Sequence, residues 1–168
     1  MQRVGMQPPD TRRSPLTGRD RSATVARSQR GGDLRRLLAV AHQTAESEQF
    51  LEAVRSAADR DGAEVVLLVP ATPVRHLASW TRGESRAVAK ERAESARRLL
   101  EAAGVLVVEA RIGDADPYQA IIEALTIDSF DEVIVSTFPP GVSRWLGADL
   151  INRLGRSTDV PVTHVVSH

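Results

Sequence analysis

Leu37-Leu38-Ala39-Val40-Ala41 is a short, uninterrupted apolar run, and Val65-Val66-Leu67-Leu68-Val69 is a second. Runs of this length read as strands buried on both faces, the pattern of a parallel sheet. Between them Phe50, Leu51, Val54, Ala57 and Ala58 recur at helical spacing. Thr44 is placed to cap that helix, with Glu46 and Glu48 in an acidic first turn, and Asp61-Gly62 to end it. Pro70 stops the second strand. A strand, a helix and a strand over residues 37–70 make one crossover unit, and the rest of the chain repeats it.

Beyond a loop over residues 71–83, which carries Pro73, His76 and Trp80, a long helix is expected over residues 84–103. Ala89, Ala93, Ala96, Leu99 and Leu100 form its inward stripe and Gly104 its stop. Residues 105–110 form a third strand. Asp116 followed by Pro117 reads as a cap and first helical residue, opening a helix over 117–128 with Ile121, Ile122 and Leu125 inward. Asp131-Glu132 lead into a fourth strand, Val133-Ile134-Val135-Ser136. A fourth helix, capped by Ser143, carries Leu146, Leu150 and Leu154 on one face, and residues 160–166 form the fifth strand.

Strands and helices that alternate in this way give an α/β fold: a doubly wound, five-stranded parallel sheet with four helices, joined by right-handed crossovers. Strand order 3-2-1-4-5 places a topological switch between the first and fourth strands, and ligands of open sheets bind there, beyond the strands' carboxyl ends. His42, Gln43 and Thr44 would line one side of that crevice and Thr137 to Arg144 the other.

Composition narrows the function. The 168 residues include no cysteine, so neither a disulfide framework nor a thiolate centre is available. No apolar run approaches the ~18–20 residues of a membrane helix. The N-terminal arginines have no apolar stretch behind them, so no secretory leader is expected and the protein is placed in the cytoplasm. Residues 1–33 hold seven Arg against Asp10, Asp20 and Asp33, a balance of +4, and the remainder of a neutral chain is therefore −4. An acidic domain argues against nucleic acid as a partner. Residues 1–33, with Pro8, Pro9 and Pro15 and no apolar periodicity, are expected to be a disordered basic tail before a domain over 34–168. The tail is either a passive extension or an arm for an acidic partner. Lys90 alone breaks an all-arginine basic set, which fits a GC-rich bacterial genome.

Leu37 to His42, Val65 to Pro70, and the strand–loop–helix–strand from Val133 to Val166 together resemble the universal stress protein family, whose fold is adenine nucleotide alpha hydrolase-like. The resemblance covers residues 34–168. ATP-binding members carry an Asp at the end of strand one, where this chain has His42. They also carry two glycines three apart after strand four, then a Gly followed by Ser or Thr. Here the loop reads Ser136-Thr137-Phe138-Pro139-Pro140-Gly141-Val142-Ser143-Arg144-Trp145, and Gly147 is followed by Ala148. Pro139 and Pro140 lack the N–H groups that cradle phosphate. The resemblance therefore implies a member without the ATP-binding glycine motif, and pairing of two copies through strand five, which ends the sheet and carries apolar groups on both faces.

The candidate ligand residues are His42, Thr44, Thr137, Gly141, Ser143 and Arg144. The start of helix four offers free N–H groups and a favourable dipole, with Ser143 and Arg144 beside it. The plainer alternative makes Ser143 an ordinary cap and Arg144 a solvated side chain. His42 at a strand end invites a general-base role, but no paired carboxylate, nucleophile elbow or second histidine accompanies it. His164 and His168 stand too far apart along a strand to share a metal, and Asp114 and Asp116 read as turn and cap. No enzyme and no obligatory cofactor are expected. The expected function is a non-catalytic stress-protein-like module that binds a small ligand or protein partner, with weak or no ATP binding. The alternative is a genuine ATP- or AMP-binding protein with a diverged phosphate loop.

Overall fold

A computed structural model of the chain describes residues 34–73, 82–139 and 146–168. The expected tail, Trp80, Gly141, Ser143, Arg144 and Trp145 lie outside the described residues. The elements run β1 (Arg35–Val40), α1 (Glu48–Asp61), β2 (Ala63–Pro70), α2 (Arg82–Ala102), β3 (Leu106–Gly113), α3 (Pro117–Ile127), β4 (Glu132–Thr137), α4 (Leu146–Ser157) and β5 (Val162–Val166). All the strand pairs are parallel and the sheet order is β3-β2-β1-β4-β5. The sequence predicts this order, and the switch falls between β1 and β4.

The sheet divides the interior in two. Leu37, Ala39, Val65, Leu67, Val69 and Ile134 share one face with Phe50 and Val54 of α1 and with Ala89, Ala93, Ala96 and Leu100 of α2. Leu38, Val40, Val66, Leu68, Val133 and Val135 share the other with Ala120, Ile121 and Ala124 of α3 and with Leu150 and Leu154 of α4. Period-two strands and helices on both faces require this division. Both faces of β1 are buried, so its unbroken apolar run is explained. Gly113 ends β3 beneath α3, where a Cβ would come within 2.5 Å of the Ala120 Cβ. Among the described residues no helix is long and apolar enough to cross a membrane.

Several local expectations are corrected. Thr44 does not cap α1. Ser47 does, accepting the Phe50 N–H at 3.3 Å, after a turn in which Ala45 N–H bonds His42 O and Ser47 N–H bonds Thr44 O. That turn keeps Glu46 outside the helix and leaves Glu48 as its acidic opening. Leu99 is 42% exposed, because Ala96 and Leu100 already fill the inward stripe of α2. β3 runs on to Gly113, since an edge strand tolerates the polar Arg111, which has carboxylate partners. On α3 the buried residues are Ala120, Ile121 and Ala124, while Ile122 and Leu125 pack at the margin of the core. Asp116 caps α3 as expected, with its own N–H on the Asp114 carboxylate. Val165 of β5 packs on the α1 side and Val162 on the α4 side, leaving Val166 as the exposed valine of that strand.

Candidate functional site

After β1 the chain turns to one face of the sheet, and after β4 it turns to the other. Their carboxyl ends therefore part, with His42 to Ala45 on one side and Ser136 to Pro139 on the other. The floor is closed by hydroxyls. Thr44 Oγ1 donates to the Ser136 carbonyl at 3.3 Å. Ser47 Oγ donates to Ser167 Oγ at 2.8 Å, and Ser167 Oγ lies 2.7 Å from Ser136 Oγ. Ser167 is fully buried and its N–H bonds Thr137 O. This chain ties the cap of α1 to β4 and to the residue after β5. Sequence reasoning missed it, because a serine one residue past a strand carries no periodic signal.

The expected ligand residues fare differently. Thr44 is buried and its hydroxyl is engaged with β4. Thr137 turns toward β5, its Oγ1 2.8 Å from His164 Nε2 and 3.2 Å from Phe138 O. The two hydroxyls thus do not meet across the crevice. His42 is half-buried at its mouth, and its Nε2 lies 3.5 Å from Arg92 Nη1 of α2. Burial first, and the Arg92 charge second, lower its pKa to about 4, so the ring is neutral near pH 7. Guanidinium only donates, so Nε2 accepts and the proton sits on Nδ1, for which no described residue is an acceptor.

Arg92 was also missed, and spacing alone does not mark it, since the exposed Arg86 likewise has no acidic residue three or four away. The residues three and four away from Arg92 are Val88, Ala89, Ser95 and Ala96, none of them acidic. Two other bases on α2 have carboxylate partners, Lys90 with Glu94 and Arg97 with Glu101. Among the described residues no group of His, Asp and Glu could hold a metal ion. No family model matches the sequence. Solved structures do match. A universal stress protein in complex with cAMP superposes with TM-score 0.57 at 18% identity, over 80% of this chain and 98% of that one. The fold is that of the universal stress proteins. The Archaeoglobus fulgidus universal stress protein in complex with dAMP matches with TM-score 0.56 at 15% identity, over 80% of this chain and 98% of that one. An Arabidopsis thaliana family protein with AMP bound matches with TM-score 0.54 at 15% identity, over 80% and 92% of the two chains. At these identities the likeness is one of fold, and the stress-protein architecture here carries His42 and Arg92 at its switch point.

Proposed function

We propose that the chain is a cytoplasmic, non-catalytic universal stress protein that holds a small ligand, an adenine nucleotide in the first instance, at the crevice between β1 and β4. The observation that carries this reading is the shared stress-protein fold, in which neighbours were solved with cAMP, dAMP and AMP. ATP is bound weakly, with a Kd in the high micromolar range, roughly −5 kcal/mol. The reason lies in the loop after β4, where Pro139 and Pro140 remove two donors and no pair of glycines three apart lets the backbone approach a triphosphate. A thermal-shift screen of AMP, cAMP and ATP tests it. Stabilisation by a monophosphate that exceeds stabilisation by ATP supports the reading, and a low-micromolar ATP complex replaces it with a diverged ATP binder.

The same reading includes a homodimer through β5. That strand is an edge of the sheet, and Thr163, His164 and Val166 are exposed on it. Light scattering at micromolar concentration is expected to give twice the 18.3 kDa chain mass, and Val166→Lys to return it to the monomer value. A monomer in the wild type refutes the dimer.

A further inference from the structure

We infer that Arg92, positioned by the His42 ring, forms an oxyanion subsite at the mouth of the crevice, one that grips a phosphate or carboxylate group of the ligand. The inference rests on the reading of that crevice as a ligand site. It differs from a phosphate cradle in the loop after β4, because its donors come from α2, braced by the residue after β1.

Three observations converge. Arg92 is half-buried, and among the described residues it has no carboxylate partner; its recorded contact is the His42 ring. A guanidinium sunk partly into a protein is ordinarily paired, because taking charge out of water is costly. Arg97, on the same helix and likewise of intermediate exposure, is paired with Glu101. Second, His42 spends its acceptor on Arg92, which leaves Nδ1–H without an acceptor among the described residues. The ring thus holds one edge of the guanidinium through Nε2 while its own Nδ1–H points away, and the remaining guanidinium N–H groups are the donors an oxyanion takes. The lowered pKa of His42 supports the tautomer, since a neutral ring can accept from Arg92.

Third, Ser85 is 3% exposed, and its Oγ has no hydrogen-bond partner among the described residues. Buried hydroxyls nearly always have one. Ser85 and Arg92 are seven residues apart and so share a face of α2, about 10 Å apart along its axis. Ser85 thus leaves an unused hydroxyl on the helix face that carries Arg92.

The test is calorimetry with AMP, adenosine and inorganic phosphate on the full chain, on Arg92→Gln and on Arg97→Gln. Arg97 is the control for general surface charge. AMP affinity is expected to fall at least tenfold in Arg92→Gln and to stay within twofold in Arg97→Gln, while adenosine binding changes less than twofold in both. Arg92→Lys keeps the charge without the fork and is expected to fall between, so the subsite stays testable if the glutamine variant does not fold. AMP bound equally by wild type and Arg92→Gln overturns the subsite. Adenosine bound without any gain from the phosphate of AMP also overturns it, while leaving a nucleoside site in place. Inorganic phosphate bound through Arg92, with neither AMP nor adenosine preferred over it, upholds the subsite and removes the nucleotide reading. No binding of any of the three overturns both.

Discussion

The two ends of the sheet treat charge in opposite ways. At the amino ends of β1, β2 and β4 the guanidinium groups are paired: Arg35 with Glu132, Arg36 with Asp128 and Glu64, and Arg60 with Glu132. Arg111 of β3 reaches the same cluster through Asp128 and is also bound by Glu109. Arg36 lies over the Phe130 ring as well. At the carboxyl ends Arg92 touches a neutral imidazole and, among the described residues, no carboxylate. In the first arrangement each of these guanidinium groups meets a carboxylate, although Arg36 Nε and Arg111 Nη1 have no hydrogen-bond partner among the described residues. In the second, no carboxylate among those residues stands opposite the charge. Charge compensated within the chain belongs to the fold, and charge left over marks where something else docks.

Removing the most enclosed acid of the paired end has the largest expected effect. Glu132 has a side chain 10% exposed and binds Arg35 and the Thr163 hydroxyl, so Glu132→Ala removes an acceptor from both. A loss of about 2–3 kcal/mol is expected by urea denaturation. A loss below 0.5 kcal/mol breaks the claim that this end is structural.

Asp128 comes next. It holds Arg36 and Arg111 together but is partly exposed, and Asp128→Ala is expected to cost about 1–2 kcal/mol. Its carboxyl is held below the usual range, first by the hydrogen bond from Arg111. That contribution is present above its unfolded pKa, near 3.8, and is lost only as pH falls below it.

His42 acts in a different window. Its folded pKa is about 4 against 6.5 unfolded, so between those values the unfolded chain binds the proton and the folded chain does not. Stability therefore rises with pH from 4 to 6.5 and levels off above. The slope is worth about 1–2 kcal/mol once partial exposure is allowed for. His42→Gln is expected to flatten that window in pH-dependent melts and to leave the more acidic loss untouched. An unchanged profile means the ring is not held neutral.

Arg92→Gln has the smallest effect on folding, within about 0.5 kcal/mol of wild type, because no ion pair is lost among the described residues. A loss of 2 kcal/mol or more assigns Arg92 to the fold and erases the contrast between the two ends.

The sheet was legible because period decides it. Unbroken runs such as Leu37 to Ala41 can only be doubly buried, and alternating strands and helices leave few topologies. The site was less so. The cap of α1 moved from Thr44 to Ser47 because a turn of four residues intervenes, and two hydroxyls in one short loop compete for that role on equal terms. His42 was found from its place at a strand end. Arg92 sits fifty residues later, and nothing local to either residue joins them; only the packing of α2 on the sheet does. Its lack of acidic neighbours at helical spacing is shared by the exposed Arg86, so no local pattern marks it.

The most direct test of a ligand site at the switch point is amide chemical-shift mapping during a titration with AMP. Shifts are expected at residues 41–45, at residues 136–138 and along α2 near Arg92, with the amino-end residues 35, 36, 128 and 132 unmoved. Shifts centred on the amino-end cluster, or none at millimolar AMP, would contradict the assignment.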